Sequence, residues 1–160
     1  MGKSFTDKLN NRFNTFDDNI LPDEITCRFY VLELLAGNDL SDTYLLSCKK
    51  TGKKFVLKKF HHTELYSESD LLSGLSHKGL PRFEPHIISD GSLFTLREYI
   101  NGISLDEFLS ESSDTGTEVI AGIVIELCDA IHLLHSQPIP IIHRDIKPSN
   151  VVIDTERKFL

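Results

Sequence analysis

Three short runs, FYVLELL (Phe29–Leu35), TYLLSCK and KKFVLKKF, follow one another closely, and the last two flank the turn pair Thr51-Gly52. Aromatic and branched residues dominate them, and such residues suit a pleated, half-buried surface. Two strands joined by a tight turn pair antiparallel. Phe29 to Phe60 therefore reads as a three-stranded antiparallel meander.

The next segment changes period. In Glu64 to Ser76 the residues Leu65, Glu68, Leu71, Leu72 and Leu75 fall on one helical face, with Pro81 beyond the end. Glu68 is out of place on that stripe, because a partly buried carboxylate is costly without a partner. HIISD, the pair Asp90-Gly91 and SLFTLREYI then read as a second hairpin. Asn101-Gly102 breaks the chain, and Ser104 with Glu107 forms an S-x-x-E capping box that opens a short helix through Leu109. Glu111–Glu118 is a polar connection. Val119 to His135 reads as a long helix buried along Ile120, Ile123, Val124, Leu127, Ile131 and Leu134. Pro138 and Pro140 forbid its continuation.

The expected fold class is α+β: a five-stranded antiparallel lobe with one inserted helix, followed by the first part of a helical lobe. The expected domains are a polar extension over 1–24, a β-rich lobe over 25–100 and an α-rich lobe over 101–160. The change of texture near Tyr99–Gly102 predicts a cleft, a favoured place for ligands.

Composition narrows the function. Of 160 residues, 40% are apolar and 26% charged, ordinary for a globular protein. A net charge of −7 argues against a nucleic-acid partner, which calls for a basic face. Cys27, Cys48 and Cys128 are widely spaced and form no C-x-x-C pair, so reduced thiols and a cytoplasmic location are expected. The most apolar run, Val119–Ile125, is too short to span a bilayer. MGKSFT fits the myristoylation pattern at Gly2 and Thr6, but few basic residues follow, and an ordinary polar start without membrane attachment is the simpler expectation.

HRDIKPSN carries the chemistry. A hydroxyl nucleophile needs a carboxylate to orient it and accept its proton, a role suited to Asp145. An amide oxygen five residues later, on Asn150, can hold magnesium, a hard cation that prefers oxygen. His143, Arg144, Asp145 and Asn150 stand at the H-R-D-x-x-x-x-N spacing of the protein-kinase catalytic loop. The competing reading is a polar loop whose Asp and Asn only form turns.

Over residues 29–160 the sequence resembles a eukaryotic-type serine/threonine protein kinase. FVLK (Phe55–Lys58) stands where that family has V-A-I-K, and ESDLLSGLSH places Glu68 where the family has its helix-C glutamate. The resemblance implies a Lys58–Glu68 ion pair, with Lys58 on the α- and β-phosphates of ATP. It also implies that the Glu98 and Ile100 backbone meets adenine, that Leu35, Val56 and Val152 sandwich the ring, and that Lys147 reaches the γ-phosphate. The implied cofactors are ATP and Mg2+, with Asn150 as a metal ligand and a protein Ser/Thr hydroxyl as acceptor.

Three departures bear on activity. The family's G-x-G-x-x-G aligns with AGNDLS, so Gly37 is the one glycine left, Asn38 replaces the second, and Asp39 and Asp42 bring negative charge. Asn38 tolerates positive φ, which would keep part of the turn. Arg97 takes the place of an apolar residue before Glu98, where it would need a buried partner such as Glu68 or would snorkel outward. VVID and KFL fit a hairpin leading to D-F-G, whose aspartate falls at about position 163. The sequence given stops at Leu160. Little or no transfer activity is thus expected of these residues alone; the alternative is a non-catalytic nucleotide-binding or interaction module. An uncovered apolar surface on the helical lobe is expected to favour a homodimer.

Overall fold

The computed structural model describes residues 21–61, 71–111 and 115–154. These divide into two compact units: 21–61 with 84–98, and 71–83 with 99–111 and 115–154. The expected helix around Glu68 lies largely outside the described residues, as does KFL.

The first unit is built on a five-stranded antiparallel sheet in the order β1-β2-β3-β5-β4. Its strands are β1 (Phe29–Gly37), β2 (Ser41–Cys48), β3 (Lys54–Phe60), β4 (Ile87–Ser89) and β5 (Ser92–Glu98). Both expected hairpins are present. Gly52 at φ +70° turns the chain between β2 and β3. Asp90 and Gly91, at φ +50° and +74°, make the tight turn between β4 and β5. Positive φ at both central residues matches the twist of the flanking strands.

Two register shifts in β1 leave Leu32 and Leu35 as extra residues opposite β2. Each is a β-bulge, which bends the strand and raises its twist. Strand propensity alone carries no sign of them.

One face of the sheet presents Tyr44, Leu46, Leu57, Phe94 and Leu96, all at most 5% exposed. Its cover comes from the residues just before β1. Helix α1 (Asp23–Thr26) places Ile25, 1% exposed, against that face beside Phe29, and Leu21, 8% exposed and just before the helix, joins them. The polar stretch preceding β1 therefore ends in a hydrophobic plug.

The second unit holds β6 (Gly102–Ser104), α2 (Leu105–Glu111), α3 (Thr117–His135), a 3-10 turn (Pro148–Asn150) and β7 (Val152–Asp154). The expected capping box opens α2. Ser104 donates its N–H and its hydroxyl to Glu107 Oε2 at 2.9 Å each, and Glu107 N–H donates back to Ser104 Oγ at 3.1 Å. These bonds, the backbone one foremost, hold the Glu107 carboxyl below its ordinary range.

Helix α3 buries Ile123, Ala130 and Leu134. Val124, expected on the buried face, is 50% exposed, because the buried stripe runs through Ile123, Ala130 and Leu134 rather than across the neighbouring turn position. The segment before β4 is tied to this helix by His77 Nε2 with Asp129 Oδ2 at 3.3 Å and by Lys78 with Glu126 at 3.4 Å. No helix among the described residues is long and apolar enough to cross a membrane.

Gly102, read from sequence as a chain break, lies in a strand. β6 pairs antiparallel with β7, Gly102 opposite Asp154 and Ser104 opposite Val152. A Cβ on Gly102 would run into the Ile153 carbonyl and the Val152 side chain. Glycine is there for close approach, not for a turn.

Candidate functional site

In the first unit, the strand ladder sorts the expected residues by face. Directly opposed residues of an antiparallel pair share a face. Val56 pairs with Arg97 and Lys58 with Thr95, while Leu45 and Thr43 of β2 oppose Val56 and Lys58. Lys58 and Val56 thus stand together on the face turned away from the Leu57–Phe94 core. Val56 is 6% exposed, whereas Lys58 is exposed and sets its ammonium 4.8 Å from the Phe60 ring. Lys59 is on the other face, over Phe94. Lys58 and Lys59 therefore point to opposite faces of the sheet. Glu68 lies outside the described residues, so the expected ion pair with Lys58 does too.

Arg97 shares the Lys58 face and is partly buried; its Nη1 donates to the Glu98 carbonyl at 3.4 Å. That is a long bond for a guanidinium. Burial holds this group below the ordinary arginine range. Sequence leaves open whether the side chain turns inward or snorkels; the ladder puts it beside Val56.

At the far end of β1, Leu35 is the extra residue of the second bulge and 45% exposed. Positive φ among described non-glycine residues occurs at Asp90 and Arg144, so Asn38 does not keep the turn by adopting it. It works through its side chain instead. Leu40 N–H and Ser41 N–H both donate to Asn38 Oδ1, at 2.9 and 3.0 Å, and Asn38 N–H donates to the Ser41 carbonyl at 3.0 Å. Asp42 is paired as well: its Oδ2 is 2.9 Å from His61 Nε2. A Cβ on Gly37 would sit 2.9 Å from Asp42 Oδ1, so glycine leaves room for that carboxylate.

In the second unit three residues of HRDIKPSN converge. Asn150 Nδ2 donates to the Asp145 carbonyl and to Asp145 Oδ2, both at 2.8 Å, and Lys147 Nζ is 3.1 Å from the same Oδ2. The Lys147 hydrogen bond first, then that of Asn150, hold the Asp145 carboxyl below its usual range. An ionised carboxylate only accepts, so Asn150 has to offer its amino group, and its amide oxygen is left for another partner. Among the described residues nothing bonds Asp145 Oδ1.

Arg144 has φ +64°, and Asp145 N–H donates to the His143 carbonyl at 2.9 Å. A hydrogen bond from residue i+2 back to i across a positive-φ residue is a strained γ-turn. Such strain gathers at functional sites. No residue preference announces it, since arginine is a poor choice for positive φ. The loop is anchored on both sides: Ile141 N–H donates to the Leu134 carbonyl at 3.0 Å, and Leu105 N–H to the Val151 carbonyl at 2.8 Å. Val152, expected at the adenine, is 40% exposed on β7; Glu98 and Ile100 are partly buried.

Known proteins offer a comparison. The protein kinase domain family matches residues 33–160. Cysteine-rich receptor-like protein kinase 42 of Arabidopsis thaliana is 28% identical over 159 residues, which cover 93% of this chain and 24% of that protein. Aurora kinase of Schizosaccharomyces pombe is 29% identical over 134 residues, or 78% of this chain and 37% of the relative. Serine/threonine-protein kinase VIK of Arabidopsis thaliana is 29% identical over 100 residues, or 62% and 22%. The chain thus spans well under half of each. In fold it is similar to the crystal structure of Rad53 1-466 in complex with AMP-PNP, with a TM-score of 0.70 at 23% identity over 82% of this chain and 36% of that one.

Proposed function

The chain belongs to the protein kinase family, and from that premise we propose that it carries the nucleotide-binding face and catalytic loop of a serine/threonine kinase. The observation that carries this reading is the joint attachment of Lys147 and Asn150 to a single oxygen of Asp145. With Oδ2 occupied, Oδ1 is the oxygen that orients a substrate hydroxyl and takes its proton. As that hydroxyl oxygen bonds to the γ-phosphorus of ATP, the bond from phosphorus to the β–γ bridging oxygen breaks and ADP leaves. Lys147, tethered to Asp145, is placed to stabilise charge on the transferring group.

Asn150 would offer magnesium one oxygen, because its amide oxygen is the atom not turned to Asp145. When bound, the ion neutralises phosphate charge. Lys58 supplies a cation for the α- and β-phosphates, with Glu68 as its partner. Val56, Leu35 and Val152 are the apolar contacts for adenine, and the Glu98 and Ile100 backbone its polar ones. A cytoplasmic location goes with the free thiols at Cys27, Cys48 and Cys128.

These 160 residues contain no D-F-G triplet. A polypeptide of them alone is therefore expected to bind Mg-ATP yet transfer little phosphate. Binding only to the native state raises its stability by about 2.7 kcal/mol at a ligand concentration near 100 Kd. Mg-ATP should raise the melting temperature, Lys58→Met and Asn150→Ala should reduce that rise, and an unchanged melt in Mg-ATP would sink the proposal. A second reading, a nucleotide-binding module without catalysis, is favoured by the loop contacts of Asn38 and Asp42. Joining these residues to a segment that carries a D-F-G aspartate separates the two. Transfer to a serine peptide then appears only under the first reading.

A further inference from the structure

The tip between β1 and β2 is closed by its own side chains. Two consecutive donors, Leu40 N–H and Ser41 N–H, converge on one acceptor, Asn38 Oδ1, at 2.9 and 3.0 Å. Adjacent backbone amides aimed at one point form the kind of concavity that takes an anionic oxygen. Here a neutral amide oxygen of the chain itself fills that point. Beneath it, the Asp42 carboxylate lies against Gly37 and is held by His61 at 2.9 Å. His61 in turn donates its backbone N–H to the Leu40 carbonyl at 3.0 Å, so the end of β3 is tied to the same tip.

We infer that Asn38 sets the nucleotide preference of this chain: its side-chain oxygen occupies the two amides that would otherwise receive phosphate, so that the nucleoside rather than the triphosphate provides most of the binding. The inference rests on the nucleotide-binding reading above. A phosphate oxygen reaching the tip has to displace Asn38 Oδ1 and then meets the Asp42 carboxylate instead of a positive group. Hydrogen bonds to charged acceptors are stronger than neutral ones, so freeing the amides favours phosphate.

The test compares the dissociation constants of Mg-ATP and adenosine for the chain, for Asn38→Gly and for Asn38→Asp. Asn38→Gly removes the internal acceptor. Mg-ATP affinity should rise by roughly tenfold, with adenosine unchanged. Asn38→Asp keeps an acceptor in the same place and adds a full charge, so Mg-ATP should weaken while adenosine again holds. Because Asn38→Asp retains the cap, it remains informative where the glycine variant folds poorly. In amide NMR, Leu40 and Ser41 should respond to Mg-ATP, and not to adenosine, in Asn38→Gly. An identical ratio of the two constants in all three chains would overturn the role of Asn38 while leaving nucleotide binding intact. Failure of adenosine and Mg-ATP to bind any of them would overturn the nucleotide reading, and this inference with it.

Discussion

Asp145 receives two donors on one oxygen, and the order of their effects makes a prediction about protons. Its folded-state pKa is lowered, first by Lys147 and then by Asn150. A carboxyl with a lowered pKa adds stability above its unfolded value, and that contribution fades as pH falls through the folded one. Lys147→Ala removes the larger cause. The carbon-13 titration of the Asp145 carboxyl should then move up toward the ordinary aspartate range, and an unmoved midpoint would show that Lys147 is not what holds it. Arg97 makes a second case. Its guanidinium is partly buried with a long bond to its own neighbour's carbonyl. Arg97→Met should relieve the desolvation cost and raise stability by on the order of 1 kcal/mol in urea melts. Residue chemistry is legible where spacing encodes it: Asp145, Lys147 and Asn150 stand in one short run and meet at a single carboxylate oxygen. It was not legible where the backbone does the work. The γ-turn at Arg144 and the side-chain cap of Asn38 depend on φ and on donor direction, which residue identity does not carry.

At the scale of elements, both hairpins, the capping box and α3 follow from turn pairs and periodicity. The misses share a cause: each depends on a partner distant in sequence. Gly102 reads as a break because glycine beside asparagine usually turns, yet its reason is the Ile153 carbonyl across the β6–β7 pair. Gly102→Ala should push the two strands apart. Overpacking of this kind costs about 1–3 kcal/mol, and because β7 begins one residue after the 3-10 turn of Asn150, the loop should loosen with it. Faster amide exchange at Ile103 and Val151, together with a lower melting temperature, is the expected result. A melt unchanged from the parent would mean that the strands can separate freely. The plug formed by Leu21 and Ile25 was hidden for a similar reason. Two apolar residues in a polar stretch show no period, and only the sheet they cover gives them meaning.

For the whole molecule, surface composition matters more than any one contact. The second unit exposes Val124, Ile125, Ile139 and Ile142 at 50%, 67%, 64% and 57%. Single exposed apolar residues are ordinary, but several in one unit favour association. A net charge of −7 opposes it, and more so at low salt, where charges are less screened. Self-association through α3 is therefore expected to strengthen with ionic strength, the reverse of what an interface built on ion pairs would show. Light scattering at high concentration should give twice the mass of a single chain in moderate salt and a lower average in low salt. Ile125→Asp tests the surface itself. At 67% exposure Ile125 contributes little to folding, so the substitution should leave the melt within about 0.5 kcal/mol of the parent. A dimer that survives Ile125→Asp would place the contact elsewhere, and a parent chain that is monomeric in every salt would show that charge repulsion outweighs the exposed apolar surface.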